Sequence, residues 1–187
     1  MIYLATSSAH KARELGRLIG RPVAPIPGYE PPAETGETFA DNARIKASAG
    51  HTQAPPGSWV IADDSGLLVD ALDGAPGVRS ARFGGESLDD ASRTALLVGA
   101  LTGVEHRHAA YQCVLVAAAP DGVITIVEGS LVGSIAHAPR GAGGFGYDPV
   151  FVPEGDIRTV AELSAPEKDA ISHRGRAARA LVQALGW

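Results

Sequence analysis

Cysteine is almost missing from this chain. One Cys in 187 residues excludes a disulfide framework and any cysteine-rich zinc centre. Lysine is nearly as scarce: Lys11, Lys46 and Lys168 are the only lysines among 16 basic residues. No apolar run reaches the ~18 residues that a membrane span needs. The opening Met-Ile-Tyr-Leu-Ala-Thr has neither the charged head nor the long apolar stretch of a signal peptide. A soluble, cytoplasmic protein with no membrane association is expected. The net charge of −5 leaves no surplus of cations to neutralise duplex phosphates, so no nucleic-acid partner is expected either. That charge does not exclude a small anion in a local cationic pocket.

What is present suits a folded enzyme-sized chain. With 45% hydrophobic residues it is too apolar for disorder. Its length fits a single domain over 1–187, with room for two lobes. Six histidines keep a His/carboxylate metal site formally open.

The pattern predicts a strand at Ile2–Ala5 and a helix from Ala9 to Ile19 capped by Ser7 or Ser8. Residues 20–37 are Pro- and Gly-rich and read as irregular. Thr38-Phe-Ala-Asp41 resembles a capping box opening a helix to about Ala49. Trp59–Ala62 reads as a strand ending in Asp63-Asp64-Ser65-Gly66, and Leu67–Leu72 as another. A helix at Leu88–Leu101 precedes strands at Tyr111–Ala119 and Val123–Val132, joined by the hairpin signal Pro120-Asp121-Gly122. Residues 138–149 read as an irregular glycine-rich loop. Two more capping boxes, Thr159–Glu162 and Ser164–Glu167, introduce a last helix with Ile171, Ala178, Leu181, Val182 and Leu185 on one stripe. The order favours an α/β fold with a mixed sheet.

Several segments look chemical. Thr6-Ser7-Ser8-Ala9-His10-Lys11 sits on a strand-to-helix junction, where unsatisfied N–H groups favour an anion that Lys11 can reach. The same residues also fit an ordinary cap with a solvated Lys. Asp63 and Asp64 follow an apolar strand, and in extended chain their side chains point to opposite faces. Different jobs are expected of them, with carboxylate oxygens suited to Mg²⁺; an Asx turn is the plainer alternative. Gly141-Ala-Gly143-Gly-Phe-Gly146 matches a dinucleotide fingerprint in letters only, because no strand precedes it and Pro149 blocks a following helix. It offers close backbone approach beside Phe145 and Asp148. Lys168, His173 and Arg174 cluster around the last helix. His106-x-His108 reads as solvated, and Cys113 as an inert buried thiol. No Walker A sequence and no nucleophile elbow is present.

Taken in order, these segments resemble the inosine triphosphatase/Ham1 family. The match comprises Ala5-Thr6…Lys11-Ala-Arg-Glu14 and Glu34-Thr-Gly36…Thr38-Phe39…Asn42-Ala43…Lys46-Ala47. It continues through Ala62-Asp-Asp-Ser-Gly-Leu67, Gly74-Ala-Pro-Gly77…Ser80-Ala-Arg82 and Gly143-Gly-Phe-Gly-Tyr-Asp-Pro149. It closes with Ala161-Glu-Leu163, Lys168 and Ser172-His-Arg174. Each block is modest; their order and spacing carry the specificity. One departure stands out: Thr6-Ser7-Ser8 replaces the usual Thr-Gly-Asn, which implies that Ser7 needs no positive φ.

The resemblance implies an ITPase-like α/β fold, a long mixed sheet with flanking helices forming two lobes around a central active-site cleft. It implies a homodimer, Mg²⁺, and hydrolysis of deaminated purine nucleoside triphosphates (dITP, ITP, XTP) to monophosphate and pyrophosphate, which cleanses the nucleotide pool. It places metal-binding acids at Glu34 and Asp64, and the proton acceptor at Asp64. Substrate-binding positions fall on Thr6, Ser7, Ser8, Ala9, His10, Lys11, Ser65, Phe145, Gly146, Tyr147, Asp148, Lys168, His173 and Arg174. For the chemistry, Asp64 or Asp63 handles the attacking water, and Lys46, Lys11 and Arg82 neutralise phosphate oxygens. Phe145 stacks the base, and His173 and Arg174 donate to the purine O6. A Maf-like pyrophosphatase acting on other nucleotides and a catalytically silent nucleotide-binding protein are the rival readings.

Overall fold

The computed structural model describes residues 1–187. Its elements are β1 (Ile2–Leu4), α1 (Ala9–Ile19), β2 (Val23–Pro25), α2 (Phe39–Gln53), β3 (Trp59–Val69), α3 (Asp90–Ala100), β4 (His108–Ala118), β5 (Ile124–Ile135), β6 (Phe151–Pro153), α4 (Ala165–Ile171) and α5 (His173–Leu185). Short 3₁₀ turns lie at Asp70–Leu72, Gly77–Arg82 and Val160–Glu162. The six strands are ordered β2-β1-β3-β4-β5-β6. β1 runs parallel to both β2 and β3, whereas β5 and β6 are antiparallel, so the sheet is mixed.

The chain forms two compact units. Unit 1 comprises Met1–Asp64, Cys113–Gly129 and His173–Trp187; unit 2 comprises Ser65–Gln112 and Ser130–Ser172. Each has its own core. In unit 1, α1 contributes Ala12, Leu15 and Ile19, and α5 contributes Ala177, Ala178 and Leu181. They pack on Leu4, Ile61, Cys113 and Leu115 of the strands. Trp59 meets Trp187 edge to face at 5.2 Å between ring centroids. In unit 2, Leu97 and Leu101 of α3 pack with Leu67, Val69, Tyr111, Leu131, Phe151 and Val160. Burying these side chains, at roughly 1.5–3 kcal/mol each, is what the helical stripes and the apolar strand runs encode.

Helix ends follow the sequence signals closely. Ser8 Oγ accepts from Lys11 N–H at the start of α1. The Thr38–Asp41 capping box closes at the start of α2, with Thr38 Oγ1 accepting from Asp41 N–H and Asp41 Oδ2 accepting from Thr38 N–H. The Thr159–Glu162 and Ser164–Glu167 boxes also form.

Four expectations change. The Asp63-Asp64-Ser65-Gly66 segment is no turn: β3 runs unbroken from Trp59 to Val69, and residues 70–72 are 3₁₀. Two three-residue strands, β2 and β6, lie in stretches read as irregular or left unassigned. The final helix is two helices, because Ser172 adopts an extended ψ of 148° between α4 and α5. Consequently Ile171 packs with the unit 2 core, whereas Ala178, Leu181, Val182 and Leu185 pack in unit 1.

Candidate active site

In unit 1 the end of β1 lies beside the first half of the parallel strand β3. Leu4 is in register with Ile61, and Ala5 N–H donates to Ile61 O at 2.8 Å. This brings the Thr6–Lys11 loop, which leaves the carboxyl end of β1, close in register to Asp63 and Asp64 within β3. The loop is internally tied: Ser8 N–H donates to Thr6 Oγ1 at 3.1 Å before Ser8 caps α1. Ser7 keeps a negative φ, since Asp73 is the sole non-glycine residue with a positive one. Lys11 lies exposed in the first turn of α1, which carries no acidic residue there. Helix dipole and ammonium therefore add to one another in favour of an anion.

Asp63 and Asp64 serve different partners, as the alternation of an extended chain requires. Lys46 Nζ of α2 donates to Asp64 Oδ1 at 2.8 Å and to Glu34 Oε1 at 3.1 Å. The Lys46 and Asp64 side chains are only 14% and 11% exposed. Burial pushes the Asp64 carboxyl up, more than the Lys46 ammonium and the Asn42 amide pull it back. Burial opposes the charge of Lys46 too, but Asp64, Asp63 and Glu34 outweigh it and raise its pKa. On the other side, Arg174 Nη2 donates to Asp63 Oδ2 at 3.0 Å, and its Nη1 reaches Glu14 Oε2 at 3.3 Å. Burial would raise Asp63, but Arg174, Lys11 and Lys46 overcome it and hold the carboxyl down at about 2. A small cavity lined by Leu4, Lys11, Leu15, Asp63, Leu115 and Arg174 lies beside this pair.

Glu34 reaches Lys46 because its loop is fastened to α2. Gly36 N–H donates to Asn42 Oδ1 at 2.8 Å. A Cβ at Gly36 would come within 2.6 Å of Asp41 Cβ and 2.7 Å of Asn42 Oδ1, so only glycine permits this approach. Asp64 Oδ2 and Asn42 Nδ2 are both buried; the amide is near enough to act on the Asp64 carboxyl but falls short of a well-formed hydrogen bond.

Carboxylate oxygens such as those of Glu34 and Asp64 are the chemistry that could hold a hard divalent cation. No group of three or more His, Cys, Asp or Glu side chains forms a cage.

In unit 2 the glycine-rich loop is built around Asp148. Its Oδ2 accepts from Phe145 N–H at 2.9 Å and from Lys168 Nζ at 2.6 Å, and its Oδ1 accepts from Tyr111 OH at 3.4 Å. Gly144, at φ +74°, passes so close that a Cβ would collide with Asp148 Oδ2. Gly146 N–H donates to Asp90 Oδ2 at 2.8 Å. Phe145 is left 57% exposed, with Lys168 Nζ 4.5 Å from its ring centroid. Phe145 thus presents an exposed ring on a backbone that Asp148 holds in place.

The profile of the Ham1 family matches residues 2–184. The chain belongs to the Ham1 family. A Streptomyces coelicolor dITP/XTP pyrophosphatase is 47% identical over 191 residues, covering 97% of this chain and 94% of that protein. A Ham1 protein structure from Coxiella burnetii superposes with a TM-score of 0.89 at 39% identity, covering 99% of this chain and 98% of that one. The dITP/XTP pyrophosphatase structure from Mycobacterium abscessus gives a TM-score of 0.79 at 47% identity, over 97% and 98% of the two chains. The α/β fold with its six-strand mixed sheet and flanking helices is the Ham1 fold.

The Ham1 motif residues fall into two groups by unit. Thr6, Ser7, Ser8, Ala9, His10, Lys11, Glu34, Lys46, Asp63, Asp64, His173 and Arg174 lie in unit 1. Ser65, Arg82, Phe145, Gly146, Tyr147, Asp148 and Lys168 lie in unit 2. Tyr147 is a core side chain: it is 4% exposed, and its hydroxyl donates to Ser80 O at 2.9 Å. Sequence reasoning assigned no role to Glu14 as the second partner of Arg174, although its place on α1 three residues after Lys11 puts both on one helix face. It also gave none to Tyr111, hidden in an apolar strand, or to Asn42 as the anchor of the Glu34 loop. His108, expected to be solvated, keeps 55% of its side chain exposed while its Nδ1 pairs with Asp70.

Proposed function

We propose that this chain is a dITP/XTP pyrophosphatase. It hydrolyses deaminated purine nucleoside triphosphates to the monophosphate and pyrophosphate, and so keeps those bases out of nucleic acid. Membership of the Ham1 family and 47% identity to a dITP/XTP pyrophosphatase support the activity. The observation that carries the site is the Glu34–Lys46–Asp64 cluster: two carboxylates on one ammonium, with an open, buried carboxylate oxygen.

Water attacks the α-phosphorus, the bond from that phosphorus to the bridging oxygen breaks, and pyrophosphate leaves with the electron pair. Mg²⁺, when bound at Glu34 and Asp64, neutralises phosphate charge and acts as a Lewis acid. Asp64 is better suited than Asp63 to orient the water and take its proton. The Asp64 carboxyl is raised and keeps an open oxygen, whereas Asp63 is held down at about 2 in its pair with Arg174. Lys11 at the α1 N-terminus, together with Lys46 and Arg82, neutralises phosphate oxygens. Phe145 stacks the base.

Base choice follows from donors aimed at a 6-oxo group. Adenine presents an amino group there, so His173 and Arg174 would face donor against donor, and buried unpaired groups reject it. The pairing of Arg174 to Asp63 and Glu14 engages only part of the five N–H donors of a guanidinium and fixes its plane. The protein is further proposed to act in the cytoplasm as a homodimer. No helix is long and apolar enough to cross a membrane.

A panel of dITP, XTP, ATP and GTP with Mg²⁺ tests the reading. Turnover of dITP and XTP at least tenfold above GTP and ATP is expected. Equal turnover of ATP overturns the base assignment. Tight nucleotide binding with no turnover indicates the silent-binder alternative, and preference for another nucleotide class indicates the Maf-like one.

A further inference from the structure

Helix α3 carries none of the motif residues, yet its first turns grip the glycine-rich loop. Asp90 and Thr94 stand four residues apart and so share one face of the helix. Both reach the same residue of the loop. Gly146 N–H donates to Asp90 Oδ2 at 2.8 Å, and Thr94 Oγ1 donates to Gly146 O at 3.2 Å. The gripping face is itself anchored. Asp89 caps α3 by accepting from Ser92 N–H at 2.7 Å. Arg93, 5% exposed, donates to Phe83 O at 2.9 Å, Gly85 O at 3.2 Å and Leu88 O at 2.6 Å. Leu97, one turn further on, is buried in the unit 2 core.

What the grip holds is Phe145. The Gly146 N–H belongs to the peptide that follows Phe145. The Phe145 N–H belongs to the peptide that precedes it, and donates to Asp148 Oδ2 at 2.9 Å. Asp148 N–H donates back to Phe145 O at 3.2 Å. Both peptides that flank Phe145 are therefore pinned, one by Asp148 and one by Asp90, and the direction in which its side chain leaves the backbone is set. The ring is nevertheless 57% exposed. Burial is what stabilises an aromatic side chain in a fold, so the fold gains little from fixing a ring that it leaves in solvent. A flat partner arriving from outside gains more, because an ordered ring loses less entropy on binding.

We propose that Asp90 and Thr94 are positioning residues for the base: through Gly146 they hold the Phe145 ring in the orientation that stacks a purine. This rests on the reading of Phe145 under Proposed function and adds the support that orders the ring beforehand. The grip serves binding of the base in ground state and transition state alike, so it lowers KM and leaves kcat nearly unchanged.

Asp90→Ala and Thr94→Val each remove one end of the grip, whereas Asp90→Asn keeps an oxygen acceptor. Each variant is assayed for kcat and KM with dITP and for inhibition by inorganic tripolyphosphate, which has no base. Asp90→Ala is then repeated in a Phe145→Ala background. The expected result is a KM for dITP raised about three- to tenfold in Asp90→Ala, a smaller rise in Thr94→Val, and near recovery in Asp90→Asn. Inhibition by tripolyphosphate should stay at wild type, and Asp90→Ala should add nothing once Phe145 is gone. An unchanged KM in Asp90→Ala overturns the proposal. So does an undiminished effect in the Phe145→Ala background, or an equal weakening of tripolyphosphate, because Asp90 would then be serving the fold and not the ring. A Phe145→Ala KM equal to wild type overturns the stacking reading and the proposal with it. Failure of wild-type protein to hydrolyse dITP would overturn the proposed activity instead, and the same cycle read as dITP binding by calorimetry would still decide Asp90.

Discussion

Replacing Lys46 by Met should expose how the carboxylate cluster is held. In the folded protein Lys46 stands between Glu34 and Asp64, at 3.1 and 2.8 Å. The variant keeps the length of the side chain and removes its charge, leaving two carboxylates facing each other. Removing one partner of a fully buried ion pair costs about 3–5 kcal/mol, and an exposed pair about 0–1 kcal/mol. Asp64 is 11% and Glu34 32% exposed, so solvent screens the second contact much more than the first. The loss should therefore be about 2–3 kcal/mol. For a chain of this size that lowers the melting temperature by roughly 5–10 °C. Two facing carboxylates raise one another's pKa, so the variant regains stability on acidification. Its deficit should be largest near pH 7 and smaller at pH 5. Mg²⁺ should narrow the deficit, since a dication restores what the ammonium supplied. Scanning fluorimetry at both pH values, with and without Mg²⁺, reads all of this. A variant that melts with wild type at pH 7, or whose deficit grows on acidification, would refute the reasoning.

Further predictions concern the opposite face of β3. The Asp63 carboxyl is held at about 2, below its unfolded value of roughly 3.9. Its charge therefore stabilises the fold above about pH 4, and that contribution drains away as pH falls through the folded pKa. Arg174→Met should accordingly melt well below wild type at pH 7, with the gap closing below pH 4; a gap independent of pH contradicts the ion-pair account. Cys113 is fully buried, and burial foremost pushes its thiol up to about 12. A disulfide reagent at pH 8 should find no reactive thiol in native protein and one per chain in denaturant; rapid native labelling would contradict this.

The readable part of this fold was the part governed by local rules. The bounds of α1 were legible because Ala12, Leu15 and Ile19 fix its stripe, while the choice of Ser8 over Ser7 as its cap was left to the structure. Three capping boxes formed as spelled. Long-range rules decided the rest. A pair of aspartates in an apolar strand reads as a strand end, since buried carboxylates need partners; here Arg174 and Lys46, distant in sequence, supply them and β3 continues. β2 and β6 are three residues each, and pairing with β1 and β5 defines them rather than composition. The Ile171 stripe fails because helical periodicity cannot register one extended residue at Ser172.

The site divides the same way. Glu34, Lys46, Asp63 and Asp64 could be named from motif order, and the alternation of a strand foretold that the two aspartates would part. Which partner each would take could not be read, because Arg174 and Glu14 lie 160 residues apart in the chain.

Hydrolysis of dITP in ¹⁸O-labelled water tests the central claim most directly. Attack on the α-phosphorus puts the label in the monophosphate and releases unlabelled pyrophosphate, and Asp64→Asn should abolish nearly all of that release. Label in pyrophosphate, orthophosphate as the first product, or near-wild-type turnover by Asp64→Asn would contradict the account.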